Sequence, residues 1–285
     1  MSSTSTTSQP IVFYDIASSH PHHTFAPNPW KTRYALNHKG FPYKTKPIDL
    51  PDIASERQKL GVPANRTLPD GSPYHTLPLI HDPATNAFVG DSFEIALHLD
   101  RRSSSKETPP LFRPGTTGLT ASFNARVDAL FTAHVALASA HMPFPEESKA
   151  RIEGIFAARF GLKDMTAMAL SPEAREKLFV DFEHALGELA KAYRHVGGTT
   201  DGVWRAGGTA EGQAQRDGRV QSGGPGPWLD GEEGDGPVYA DFVVGGWLAM
   251  FATCMDGADW ERVKSWQGGL WGKIHDALEP LRRMD

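Results

Sequence analysis

The chain has 285 residues, 39% of them hydrophobic and 22% charged, and its 29 basic side chains stand against 34 acidic ones for a net charge of −5. That length accommodates two domains of ordinary size, the composition is globular rather than disordered, and the lack of a basic surplus argues against a nucleic-acid partner. A single cysteine, Cys254, excludes an internal disulfide and a cysteine-based zinc cluster, and no apolar run is long enough to span a membrane.

Residues 1–10 are rich in Ser and Thr and uncharged, without the basic and apolar regions of a secretory signal, so they read as the flexible tail of a cytoplasmic protein. Ile11-Val12-Phe13-Tyr14 has the β-branched and aromatic character of a buried strand. A turn-rich stretch leads to Pro29, and Trp30, Arg33, Tyr34 and Asn37 then fall at helical spacing, with Gly40 as the stop. Tyr43 to Leu50 reads as a second strand, which Pro47 pushes toward a sheet edge. A short helix fits between Pro51 and Leu60, followed by a Pro-rich loop to His75. Leu77 to Ile80 and Ala87 to Val89 form a hairpin, and Asp91-Ser92 opens a helix carrying Phe93, Ile95, Ala96 and Leu99. The order β-α-β-α-β-β-α over 11–102 predicts an open sheet with helices on its faces.

Residues 103–118 are polar and Pro-rich, as a linker would be. From 119 to 285 the periodicity is helical throughout, with apolar residues three and four apart in segments beginning near Leu119, Lys149, Glu173, Val238 and Trp260. The exception is an insertion at 198–236, dense in glycine and poor in large apolar side chains; within it, residues 198–227 are expected to be poorly packed and dispensable.

Chemistry concentrates at two places. In Thr76-Leu77-Pro78 a proline enters a strand where it has no N–H to donate, and a cis bond there turns the preceding backbone outward to pair with a bound peptide. Asp91-Ser92 starts a helix, whose free N–H groups and dipole hold a carboxylate. Either could be an ordinary strand start or helix cap, but their succession after a β-α-β unit points to a small peptide ligand. His20, His22 and His23 have no cysteine or carboxylate beside them, so no metal site is expected there, and their loop is placed over a cleft instead. Trp30 and Arg33 read as helix-surface residues. Cys254 lies in an apolar helix and reads as a buried small hydrophobe.

These motifs, with Phe93-Glu94-Ile95-Ala96 and the helical second half, resemble the cytosolic glutathione transferase family. The run from Trp30 to Gly40 is similar to its fungal etherase-related branch, the FuA type, and to bacterial lignin β-etherases, and Tyr239-Ala240-Asp241-Phe242 resembles the family's capping segment for the core helix of the second domain. The resemblance implies a thioredoxin-like domain followed by an all-α helical bundle, with glutathione as co-substrate, no metal, and a homodimer. It also implies roles. Leu77, following Thr76, would pair its backbone with the cysteinyl part of glutathione beside a cis Pro78; Ser92 would hold the γ-glutamyl carboxylate and Asp91 the α-amino group. The glycyl carboxylate needs a cation from among Lys44, Lys59 and Arg66, of which Lys59 is assigned. Phe123, Phe131, Trp30 and Trp247 are expected to contribute to an apolar co-substrate pocket.

One departure matters. The branch places a serine just before Pro27-Asn28 to donate to the glutathione thiolate, and here that position is Ala26, which donates nothing. The Asn28 amide, the Thr24 hydroxyl, the Tyr14 hydroxyl or backbone N–H groups at the helix start are the available substitutes. The implied activity is attack of the thiolate on an aromatic co-substrate of lignin or plant origin, by conjugation or β-aryl-ether cleavage. The alternatives are a weakly catalytic or non-catalytic ligandin for aromatic compounds or glutathione conjugates, and an interaction module on the same fold.

Overall fold

The computed structural model describes residues 9–21, 24–102, 109–161, 163, 170–193, 228–229 and 236–284. Strand β1 (Ile11–Ile16) runs parallel to β2 (Tyr43–Ile48) and is joined to it by α1 (Pro27–Lys39). After α2 (Ile53–Lys59), a small separate ladder of β3 (Arg66–Thr67) and β4 (Pro73–Tyr74) forms inside the expected loop. Strand β5 (Leu79–Asp82) then pairs antiparallel with β1, and β6 (Ala87–Gly90) with β5, before α3 (Ser92–Arg102). The main sheet has the order β2-β1-β5-β6, so Pro47 lies on an outer strand, where its missing N–H costs no ladder bond. This is the thioredoxin-like arrangement.

Strand alternation divides the core. Ile11 and Phe13 join Tyr34, Leu36, Ile95 and Leu99 on the face covered by α1 and α3, whereas Tyr14 packs with Ile48, Ile53, Leu77 and Leu79 on the face covered by α2.

The second domain is helical: α4 (Thr117–Ala133), α5 (Glu146–Phe160), α6 (Pro172–Tyr193), α7 (Tyr239–Cys254) and α8 (Gly257–Ala277). Helix α7 is buried on nearly all sides, as the central helix of a bundle must be, and Phe131, Phe182, Trp247, Phe251 and Trp266 interlock around it. It also meets the first domain. A Cβ on Gly246 would stand 2.6 Å from the Pro27 carbonyl oxygen and 3.0 Å from Lys31 Cγ, so only glycine lets the first turn of α1 come this close. The C-terminal residues clasp the same helix, the Asn37 amide donating to the carbonyls of Leu281 and Arg283 at 2.8 and 2.9 Å. No helix among the described residues is long and apolar enough to cross a membrane.

Several sequence expectations change. The last helix begins at Gly257 and breaks at Trp266–Gly269, where Gln267, Gly268 and Gly269 all take positive φ; two consecutive glycines interrupt the helix at little steric cost. The tail at 1–8, the linker at 103–108 and the insertion at 198–227 and 230–235 lie outside the described residues. Trp228, counted within the insertion, is 5% exposed and belongs to the core, and the Leu229 N–H donates to Asp241 at 2.9 Å. The end of the linker is also fixed, because Asp100 accepts the N–H groups of Leu111 and Phe112 and both side chains are buried.

Candidate functional site

Strand register brings the two sequence motifs together. Leu79 pairs with Tyr14 on one side and with Gly90 on the other. Pro78, just before Leu79, and Asp91, just after Gly90, therefore emerge at the same end of the sheet, the carboxyl end of β1 from which the chain leads to α1. The Leu77–Pro78 peptide bond is cis. Arg57 braces this edge. Its guanidinium donates to the Thr76 carbonyl at 2.9 Å and the Pro63 carbonyl at 2.5 Å, and lies against Gly90, where a Cβ would come within 3.0 Å of Nη1. Sequence reading passed over Arg57; its signal was a place four residues after Ile53, on the buried face of α2.

At the start of α3, Asp91 adopts φ 75°, a left-handed conformation that costs a non-glycine residue on the order of 1 kcal/mol or more. The bend lets its Oδ1 accept the Phe93 N–H at 2.9 Å. Ser92 is 4% exposed, in a first turn whose N–H groups have no intrahelical acceptor.

Helix α1 starts with Ala26 as its N-cap and no side-chain cap bond. Pro27 and Pro29 carry no N–H, and the Trp30 N–H goes to the Ala26 carbonyl at 3.3 Å. The backbone donors at this helix start reduce to those of Ala26 and Asn28. Asn28 is half-buried.

One turn further, the Lys31 ammonium is fully buried and donates to Asp128 Oδ1 at 2.6 Å and Asn124 Oδ1 at 3.1 Å. The Trp247 indole N–H donates to the same Asp128 oxygen at 2.6 Å. Burial lowers the Lys31 pKa, opposed by Asp128 and by the charge of Asp91 at the start of α3. A polar cluster contributed by α1, α4 and α7 thus lies within electrostatic reach of Asp91 at the start of α3. Trp247 was expected in an apolar pocket, but Lys31, Asn124 and Asp128 were not singled out, because the partners of Lys31 lie about a hundred residues away in sequence.

The remaining candidates divide. Thr24 is fully buried near Asp15, whose carboxylate binds Arg33 at 3.1 Å, so its hydroxyl lies in the core instead of facing a cleft. Tyr14 points to the α2 face, beneath the Lys46 ammonium. Trp30 is 1% exposed and stacks on Tyr34; with the fully buried Arg33, it is core and not helix surface, because α7 and the sheet cover both sides of α1. Phe131 is fully buried against Trp247, and Trp247 keeps 7% of its surface. These three aromatic residues fill the core instead of lining an open pocket, whereas Phe123 is partly exposed. Lys59 is largely exposed, 3.8 Å from Glu56, on a groove also lined by Asp49 and Asp52, where the surrounding carboxylates oppose an anion. Lys44 and Arg66 are exposed on β2 and β3. Burial pushes the Cys254 thiol up to about 12, so it is not a nucleophile at neutral pH. The loop before α1 meets the second domain, with the Ser19 N–H on the Pro143 carbonyl at 2.9 Å and Phe25 edge-on to Phe144; His22 and His23 lie outside the described residues.

Comparison with known proteins agrees with this layout. Residues 25–102 match the family model for the glutathione S-transferase N-terminal domain, and residues 214–281 that for a glutathione S-transferase C-terminal domain. A glutathione S-transferase-like protein, ustS, of Aspergillus flavus is 36% identical over 119 residues, which is 39% of this chain and 41% of that protein. Among solved structures, the glutathione transferase GSTFuA3 of Phanerochaete chrysosporium superposes with a TM-score of 0.76 at 25% identity, over 98% of this chain and 99% of that one. The glutathione S-transferase CsGST63524 of Ceriporiopsis subvermispora, solved in complex with glutathione, gives 0.77 at 28% identity, over 97% and 99%.

Proposed function

Because the chain belongs to the glutathione transferase family, we propose that it binds glutathione along the edge formed by Leu77, Pro78, Asp91, Ser92 and the start of α1, and directs the thiolate at an apolar aromatic co-substrate. The observation that carries this reading is the register that places Pro78 and Asp91 at one end of the sheet, beside the first turn of α1. The backbone of Leu77 pairs with the cysteinyl portion, Ser92 and the α3 N-terminus take the γ-glutamyl carboxylate, and Asp91 faces the α-amino group. The thiolate then forms a C–S bond to an electrophilic carbon as a halide or aryloxide departs. Conjugation and β-aryl-ether cleavage are two outcomes of that one displacement. A homodimer and a cytoplasmic location belong to the same reading.

Ala26 favours a second reading. With no hydroxyl at the helix start and two prolines removing N–H donors, little is left to stabilise a thiolate, and in this reading the chain is a ligandin that holds aromatic compounds or glutathione conjugates without turnover. Titration calorimetry with glutathione, together with turnover on an activated aryl halide, decides between them. Binding with turnover supports the transferase, binding alone selects the ligandin, and absence of binding removes both.

A further inference from the structure

Tyr239 begins α7, in the second domain, and is fully buried. Its ring lies edge-on to Phe93 at 5.5 Å and against Phe112 at 5.2 Å, and its N–H is held by the Leu111 carbonyl at 2.8 Å. The ring therefore abuts the first turn of α3, one residue past Ser92. Its hydroxyl has no hydrogen-bond partner within normal geometry. A buried polar oxygen of this kind destabilises a protein unless something satisfies it, and such orphans collect at functional sites. The neighbouring side chain is Ser92: contact with that hydroxyl opposes the rise that burial imposes on the phenol pKa, to which Asp91 and Asp128 add. Ser92 is thus the neighbouring hydroxyl that can accept from the phenol, and the charges of Asp91 and Asp128 help keep the phenol protonated.

We propose that Tyr239 is a positioning residue for the γ-glutamyl carboxylate of glutathione, donating its O–H to Ser92 Oγ so that the Ser92 hydroxyl proton is committed to the ligand. A hydroxyl that accepts one hydrogen bond donates a stronger one, so Tyr239, Ser92 and the carboxylate form a cooperative chain that closes when the ligand binds. The carboxylate supplies the missing direction. Without it the Ser92 hydroxyl rotates freely, and with it the oxygen lone pair turns toward the phenol. The second domain thereby reads the head of the peptide through Ser92, without Tyr239 itself touching it, and the inference rests on the glutathione reading of this edge.

The test is Tyr239→Phe, which removes one oxygen from an apolar surround. Glutathione should bind about 3- to 10-fold more weakly, the worth of one hydrogen bond. Affinity for γ-aminobutyryl-cysteinylglycine, which lacks the α-carboxylate, should not change. The ligand-free variant should melt no lower than the parent, because the lost hydroxyl had no partner. Unchanged glutathione affinity, or an equal loss for both peptides, would overturn the inference. Ser92→Ala separates it from its premise: if that variant also binds glutathione like the parent, the site itself has been misplaced. A crystal structure of the parent chain with glutathione gives a measurement independent of the variant's folding. The Tyr239 Oη to Ser92 Oγ distance should be about 2.8 Å, and a separation above about 3.5 Å refutes the relay.

Discussion

Lys31 on α1 donates to Asp128 on α4 at 2.6 Å, and the pair is unequally buried: the lysine side chain is fully enclosed while 30% of the aspartate remains accessible. The two domains are therefore joined next to the candidate site by an ion pair whose members would not be missed equally.

Asp128→Ala leaves a buried ammonium with only the Asn124 oxygen, and should cost about 3–5 kcal/mol of stability. Lys31→Met leaves a carboxylate that still has water, Asn124 and the Trp247 N–H, and should cost about 1 kcal/mol or less. Denaturant titration of both variants checks the asymmetry; equal losses would contradict it.

Gly246→Ala places a methyl against the Pro27 carbonyl, a rigid backbone atom that must move. The expected cost is about 1–3 kcal/mol, together with weaker glutathione binding, because the displaced turn carries Ala26 and Asn28. Gly118→Ala, at an open position on α4, serves as the control and should leave affinity unchanged.

Ala26→Ser supplies the missing donor. One charge-assisted hydrogen bond to the thiolate is worth about 1.5–3 kcal/mol, or roughly 10- to 150-fold in thiolate population, and conjugation near neutral pH should rise toward that factor. Capping adds less than usual. With Pro29 at the third helical position, the new oxygen can accept only from the Asn28 N–H. Asn28→Ala should slow turnover and raise the thiol pKa without weakening glutathione binding. If both variants match the parent in the pH profile of conjugation, the start of α1 does not face the sulfur.

Burial lowers His38 and His275 to about 4, while burial raises Asp15 to about 6 despite Arg33. The signs oppose. The two histidines bind fewer protons folded than unfolded, so their contribution is complete above about pH 6.5 and is lost as the pH falls toward 4, by up to about 3 kcal/mol each. Asp15 holds its proton more tightly when folded, so its contribution is complete below about pH 3.8 and is lost as the pH rises through 6. Between pH 4 and 6, Asp15→Asn should therefore steepen the parent's acid destabilisation by about one proton, and His38→Gln should flatten it by about one. Chemical melts at half-unit pH steps measure both slopes.

The sequence by itself determined what depends on neighbours along the chain. The β-branched and aromatic run Ile11 to Tyr14 specified a strand, apolar residues three and four apart specified helices, Pro47 marked an outer strand, and Asp91-Ser92 marked a helix start; local sterics and periodicity suffice for each. The pairing of Thr76-Leu77-Pro78 with Asp91-Ser92 was also legible, because both flank one hairpin. Only the tertiary structure decided which aromatic and polar side chains face outward. Trp30, Arg33 and Phe131 have the same helical spacing whether a helix face meets solvent or another element, and α7 and the sheet between them proved to cover these residues. Thr24 was near enough to the helix start to act there, yet it is fully buried in the core. Lys31 with Asp128, Arg57 with Thr76, and Tyr239 with Phe93 meet across 19 to nearly 150 residues of chain, and no periodicity encodes such contacts, because they arise from packing between elements that the sequence specifies one at a time.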